Sequence, residues 1–453
     1  MSGYEKIKAL ARERKCKVTD LLVMAPKNDP FYTGGDASKE KAWWFAELWQ
    51  RFGYTMGVHL RRVHYHTISQ EEPVKRHDGK PYENTERDWD YLCQAGKYAR
   101  DLGLVDVSAF VDRRNPEPII NCNPFELEEP GIVVDFKDWH LPVVDSDLSW
   151  SMDWQLPCLQ PVGYDYVEDL QPYHLEVWVE KSTQEDIILP VCKEYGANVI
   201  TGLGFMSITS VNKLLDRISR TQKPCRILYV ADFDPAGEFM PGSVARQLEF
   251  WLEKKELDYD VKLQPIMLNQ DQVERHNLPR TPIKEKDLRR TGFEQRYGTG
   301  AVELDALAAL HPGEFRRVLE ESILQFRDPE LQHKVSAVRR RAYQNTQAAV
   351  NEHLGPYQER LQEIKHQVGK VTKSYQERLE ELQLEMEQEL GPSKGDLESL
   401  RKHVEEELER IEVALPLLPE PETSPDHEGW LFDSRRDYFD QLDYYKADKR
   451  RGC

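Results

Sequence analysis

The chain has 453 residues, 39% of them hydrophobic and 31% charged, with a formal net charge of −19. That length and balance exclude a disordered chain, and they give room for two or three domains with a sizeable core. No apolar run approaches the roughly 20 residues of a membrane span, so no membrane partner is expected.

The first residues, MSGYEKIKALARERKCK, lack the apolar stretch of a secretory signal, and the seven cysteines include no C-x-x-C pair. The expectation is free thiols in a reducing cytoplasm and no zinc site. Acidic residues crowd the C-terminal third, while basic clusters occur at Arg61-Arg62, Arg113-Arg114, Arg289-Arg290 and Arg339-Arg340-Arg341. A negative total therefore does not exclude an anionic ligand, because charge matters where it faces the ligand.

In chain order, residues 1–50 read as an N-terminal helical segment, ending in the aromatic amphipathic stretch AWWFAELWQRFG. Residues 51–115 alternate helical patterns with polar turns: HLRRVHYHTIS, a loop, then TERDWDYLCQAGKYARDLG, capped at Asn84 or Thr85 and stopped near Gly103. VSAFVDRR follows as an extended end. Two helices followed by short strands suit a winged-helix module that binds DNA. Residues 116–170 are rich in Pro, Asp and Trp with weak periodicity, and read as a connector.

Residues 171–325 change character. HLEVWVE, ANVITGLG, RILYVADFD and YDVKLQPIML read as strands, and the segments between them as helices. Strand and helix alternating at this spacing predict βαβ units and a parallel, Rossmann-like sheet, with its active edge at the carboxyl ends of the strands.

From about 330 to 415 the pattern becomes heptad-like. Leu354, Tyr357, Leu361, Ile364, Val368, Val371 and Tyr375 recur in steps of three and four; Leu379, Leu382 and Met386 continue after a stutter. GPSKG at 391–395 is expected to break the helix, after which Leu397, Leu400, Val404, Leu408, Ile411 and Leu415 restart it as the second arm of a coiled-coil hairpin. Gly355-Pro356 is expected to kink or end the first arm. Residues 416–453 read as a linker and a mixed aromatic and charged tail.

Three carboxylates carry the chemistry. Glu180 ends one strand, and Asp232 and Asp234 end another. Ends of parallel strands at one edge converge in space, and residues two apart share a face if the strand persists. Clustered carboxylates repel one another unless a cation lies between them, and hard oxygen donors suit Mg²⁺.

At these residues HLEVWVEKS…GLGFMSITS…ILYVADFDPAG resembles the Toprim domain, in the version found in the topoisomerase VI A subunit and the related meiotic double-strand-break protein. Pro235 and Gly237 match the turn of that family's D-x-D-P-x-G strand. The resemblance continues through HNLPRTPIKEKDLRRTGFEQRYGTGAVELDAL and covers roughly residues 45–325. It implies Mg²⁺ held by Glu180, Asp232 and Asp234, and attack on a DNA phosphate. It also implies a tyrosine nucleophile four residues after an arginine: here Tyr65 after Arg61, with His64 where the family commonly has a second tyrosine. On a helix, Tyr65 and Arg61 are i and i+4 neighbours, roughly opposite the apolar side of Leu60, Val63 and Thr67. Arg62, Arg113 and Arg114 are expected to contact DNA phosphates.

The expected function is Mg²⁺-dependent DNA cleavage by a homodimer, one copy per strand. There is no G-x-x-x-x-G-K-[ST] loop, so strand passage would require a separate ATPase subunit. A metal-dependent nuclease using water, with Tyr65 uninvolved, is the second expectation. A non-catalytic DNA-binding scaffold is the third.

Overall fold

The structure is a computed structural model. It describes residues 3–21, 33, 35–111, 116–122, 124, 128–141, 152–202, 204–285, 287–375, 383–424, 426 and 429–447. Contacts divide the chain into two compact units. One comprises Met1–Pro124, Gln171–Asp328 and Thr423–Cys453; the other comprises Phe125–Leu170 and Pro329–Glu422. The first unit is mixed α/β, and the second is mainly helical. Among the described residues no helix is long and apolar enough to cross a membrane.

The first unit opens with α1 (Gly3–Glu13), α2 (Val18–Leu21), α3 (Asp36–Arg51), α4 (Leu60–Ile68) and α5 (Glu86–Asp101). Helices α3 and α5 bury an aromatic core that includes Trp44, Phe45, Trp49, Tyr91 and Phe110. Helix α5 begins where its cap predicts: the Thr85 side chain accepts from the Asp88 N–H. Between α4 and α5 the chain doubles back, the Arg76 N–H donating to Lys80 O at 2.8 Å and Tyr82 N–H to Val74 O at 2.8 Å. Of the extended end expected of VSAFVDRR, Val107–Ala109 is a short 3₁₀ turn, Phe110 is extended and bridges Val58, and residues 112–114 lie outside the described ones. The Asp106 side chain caps that turn and so favours it over a strand. Arg113 and Arg114 lie outside the described residues.

In the second unit, β1 (Gly131–Asp135) and β2 (Cys158–Val162) pair antiparallel. The parallel sheet of the first unit then follows: β3 (His174–Val179), α6 (Glu185–Glu194), β4 (Asn198–Thr201), α7 (Ile208–Thr221), β5 (Cys225–Val230), α8 (Pro235–Lys254) and β6 (Val261–Met267). Its order is β4-β3-β5-β6, all parallel. Every residue of β3 and β5 is buried, because helices cover both faces. Alternate residues feed two cores. Val177, Val179, Leu228 and Val230 face one; Trp178, Ile227 and Tyr229 face the other, with α7 and α8. On that second face Glu176 is a buried carboxylate bound by Arg217 at 2.7 and 2.9 Å, His174 Nε2 at 2.8 Å and Trp178 Nε1 at 2.7 Å. Helices α9 (Gln270–Arg275), α10 (Arg290–Tyr297), α11 (Leu304–Leu310) and α12 (Pro312–Leu324) complete this part.

The second unit resumes with α13 (Leu331–Tyr375) and α14 (Gln383–Leu408). They run antiparallel: Asn345 reaches the Ala414 carbonyl, His353 faces Glu407, and Arg360 pairs with Asp396. Their seam buries Leu354, Leu361, Ile364 and Val368 against Leu390, Leu397, Leu400 and Val404. Three sequence expectations are corrected here. Helix α13 passes through Gly355-Pro356 without ending, and α14 passes through GPSKG. The joining residues are 376–382, which with Leu379 and Leu382 lie outside the described ones. A proline inside a helix costs roughly 3 kcal/mol, and here the buried seam on either side outweighs it. Helix α14 also stops at Leu408, so Ile411 and Leu415 are not helical.

Parts of the segments read as a connector and as a linker and tail are built into the two units. Trp139 and Trp154, from the expected connector, belong to the core of α13 and α14. In the expected tail, β7 (Phe432–Asp433) extends the sheet as an antiparallel neighbour of β6, and α15 (Tyr438–Ala447) follows. Asp426 clamps this segment to the sheet through Arg226 at 2.8 Å and Lys262 at 2.5 Å.

Candidate functional site

Strands β3 and β5 run in register from His174 opposite Cys225 to Val179 opposite Val230. Glu180 and Ala231 therefore leave the sheet side by side, and the Glu180 N–H donates to Val230 O at 3.0 Å. One residue further on, the Asp232 N–H donates to Glu180 Oε2 at 3.1 Å. Glu180 is 5% exposed and Asp232 3%. The sheet register thus brings two of the three predicted acids together, although they are far apart in sequence.

Asp234 arrives differently. Strand β5 ends at Val230, so the condition for Asp232 and Asp234 to share a strand face is not met. Asp234 is the N-cap of α8, its Oδ1 accepting from the Gly237 N–H at 2.6 Å. Pro235 takes the first turn of that helix, where its missing N–H is harmless. Gly237 is required for proximity: a β-carbon there would lie 2.1 Å from the Asp232 carbonyl oxygen.

Asp232 is held on both oxygens. Oδ1 accepts from the Leu304 N–H at 2.9 Å, and Oδ2 meets Lys181 Nζ at 2.5 Å. Lys181 also approaches Glu303 at 3.8 Å. Burial, then the charges of Asp232 and Asp234, push the Glu180 carboxyl up to about 7 against the pull of Lys181 and the Asp232 N–H. Burial and Asp232 likewise raise Asp234. Both shifts have one cause, carboxylates crowded in a buried place, which disfavours their charged forms.

The donor chemistry fits magnesium: carboxylate oxygens are its ordinary protein ligands, and the raised proton affinities are what a cation would relieve. The geometry is less complete. Among the described residues no three His, Cys, Asp or Glu side chains close on one point as a metal-ligand group does. The Asp232 oxygen not bound to the main chain faces Lys181 instead.

The predicted tyrosine lies on α4. Val63, His64 and Thr67 face inward, and Tyr65 is 58% exposed, with Arg61 and Arg62 exposed beside it. His64 is a buried polar brace, bonded to the Tyr82 hydroxyl at 2.7 Å and Asn84 at 3.2 Å. The Arg62 guanidinium lies over the Tyr54 ring. Among the described contacts of Tyr65 and Arg61, none reaches Glu180, Asp232 or Asp234.

Two residues at the site carried no prediction of a role. Lys181 follows Glu180 directly, and its charge beside a buried strand-end acid was the available signal. Arg289 belongs to a noted basic cluster. Its guanidinium is held by Asp287 at 2.9 Å, lies 5.9 Å from both the Phe205 and Phe239 rings, and is favoured in charge by Asp287 and then Asp234. Glu303 and Leu304 lie in the stretch GAVELDAL, through which the resemblance runs, but no role was expected of them there. The chain matches no family model and no curated protein.

Proposed function

We propose that the protein is a Toprim-type DNA-cleaving enzyme resembling the topoisomerase VI A subunit, acting through Glu180, Asp232 and Asp234 with Tyr65 as nucleophile. The observation that carries this reading is the hydrogen bond that joins Asp232 to Glu180 at the ends of adjacent parallel strands, with Asp234 opening the next helix. Magnesium, when held by Glu180, Asp232 and Asp234, supplies charge neutralisation at the scissile phosphate.

The chain's own groups do the rest. The Tyr65 hydroxyl attacks phosphorus; a phosphotyrosyl bond forms as the bond to one sugar oxygen breaks, and that oxygen takes up a proton. A free phenol is only about one part in a thousand ionised at pH 7, a cost of roughly 4 kcal/mol, so the tyrosine needs a neighbouring base or positive charge. Arg61, one helical turn away, supplies positive charge and orients the phosphate. Glu180 serves either the metal or the proton transfer: free of the cation its carboxyl is pushed up to about 7 and suited to pass a proton near neutrality, whereas a bound cation would lower it. Arg62 contacts the DNA backbone, and two copies of the chain cut the two strands. Strand passage, if the reaction includes it, draws on a separate ATPase subunit.

A second reading is favoured by one observation: among the described residues Tyr65 is exposed and touches His64 and Ser69, not the acids. On that reading the same acidic site serves a nuclease in which water replaces Tyr65. Trapping decides between them. Denaturant added during cleavage should leave wild-type protein covalently bound to DNA, and Tyr65→Phe should leave none. Cleavage by Tyr65→Phe at the wild-type rate would establish the water-using nuclease.

A further inference from the structure

We propose that Lys181 is the resident counter-ion of the acidic site, an ammonium that holds Asp232 until a divalent cation displaces it. The proposal rests on the reading of Glu180, Asp232 and Asp234 as magnesium ligands.

The contact itself is the first support. Lys181 Nζ lies 2.5 Å from Asp232 Oδ2, a short charge-assisted pair, and 3.8 Å from Glu303 Oε2. The second is which oxygen it covers. Asp232 Oδ1 is committed to the Leu304 N–H, so Oδ2 is the oxygen a metal ion would take, and it is the one the ammonium occupies. The third is mobility. The Lys181 side chain is 36% exposed while that of Asp232 is 2% exposed. A flexible four-carbon stem reaching in from solvent can leave without disturbing the carboxylate. Arg289, whose charge Asp234 favours more weakly than Asp287 does, is tied to Asp287 by two hydrogen bonds.

Electrostatics gives the arrangement its purpose. Two carboxylates drawn together by the sheet, with a third at the start of α8, repel one another, and a buried anion without a partner is costly. An ammonium from the adjacent residue satisfies them while no metal is present. Its departure frees Oδ2 as the third carboxylate position. Metal binding is then an exchange of one cation for another, and its affinity is lower than the bare acids would give.

The test titrates full-length wild type, Lys181→Met and Lys181→Arg with MgCl₂ by calorimetry in the absence of DNA. A unit charge at this range moves a neighbouring equilibrium by about 1–3 decades. Lys181→Met should therefore bind Mg²⁺ roughly tenfold or more tightly than wild type. Lys181→Arg should fall between the two. Without metal, Lys181→Met should melt at a lower temperature than wild type and recover with Mg²⁺. Binding seen only in Lys181→Met is the extreme of the same result. If wild type binds Mg²⁺ and Lys181→Met binds it equally or more weakly, the counter-ion role is overturned and the magnesium site stands. If neither binds Mg²⁺, both readings fall together. Should Lys181→Met fold only with metal, its affinity is read by chelator competition against wild type, with the same outcomes.

Discussion

The backbone N–H of Asp232 donates to Glu180 Oε2 at 3.1 Å, so two carboxylates that repel each other are locked together by the main chain of one of them. The bond lies just beyond the last paired residues of β3 and β5, where the sheet itself fixes the spacing. A site built this way holds its charge against its own stability.

That conflict predicts a trade between stability and activity. Glu180→Gln keeps an oxygen acceptor for the Asp232 N–H and removes one of the repelling charges. It should raise metal-free stability by about 0.5–2 kcal/mol in thermal melts while abolishing Mg²⁺-dependent cleavage. A less stable variant would show that the Glu180 charge is not strained.

Gly237 and Gly242 lie on the same helix but differ in surroundings. An added β-carbon would meet the Asp232 carbonyl at 2.1 Å at position 237, and nothing within 4 Å at position 242. Gly237→Ala should cost about 1–3 kcal/mol or more and displace Asp232. Gly242→Ala should be neutral or stabilising by up to about 1 kcal/mol. Equal effects in chemical denaturation would mean that the turn into α8 does not depend on that close approach.

Glu176 gives a pH dependence. Burial alone would raise its carboxyl, but Arg217 and His174 outweigh burial and hold it well below the usual carboxylate range. A depressed folded value means stability present above the unfolded value and lost as pH falls below about 4.5 towards the folded value. Glu176→Gln leaves the partly buried Arg217 without its charge partner and should cost roughly 2–4 kcal/mol at pH 7, with a flatter acid limb below pH 5. An unchanged acid limb would remove Glu176 from the account of acid stability.

Much of the first unit was legible because local rules and tertiary packing agree there. β3, β4, β5 and β6 are short, largely apolar segments alternating with helical ones, broken by buried polar residues such as Glu176 and Arg226 that are paired within the fold, and Thr85 caps its helix as read. Glu180 was legible for the same reason: parallel strands end at one edge. The sequence misled where a long-range term outweighed a local one. Pro356 and Pro392 are helix breakers by backbone chemistry, yet the seam through Leu354, Leu361, Leu390 and Leu397 keeps both helices continuous. The tail was illegible because a two-residue strand has no period, and its anchor is the charge pairing of Asp426 with Arg226 and Lys262. Lys181 was passed over because its partners, Asp232 and Glu303, come from other parts of the chain.

DNA binding should depend steeply on salt despite the acidic composition. Each phosphate contact contributes a slope of about −0.9 in log affinity against log salt. Arg61→Ala and Arg62→Ala should each reduce the measured slope by roughly that amount and weaken binding to all sequences alike. A slope unchanged in both variants would move the DNA surface away from α4.

The acids at the ends of β3 and β5 are proposed to act on DNA phosphodiesters. The direct measurement is cleavage of duplex DNA in Mg²⁺ by wild type, Asp232→Asn and Asp234→Asn, with circular dichroism to verify folding. Asparagine preserves an acceptor for the Leu304 N–H at position 232 and a helix cap at position 234, so both variants should fold. The account predicts Mg²⁺-dependent cleavage by wild type and loss of about 10²-fold or more in each variant, the scale of removing one preorganised electrostatic group. Cleavage at the wild-type rate by both folded variants would contradict it.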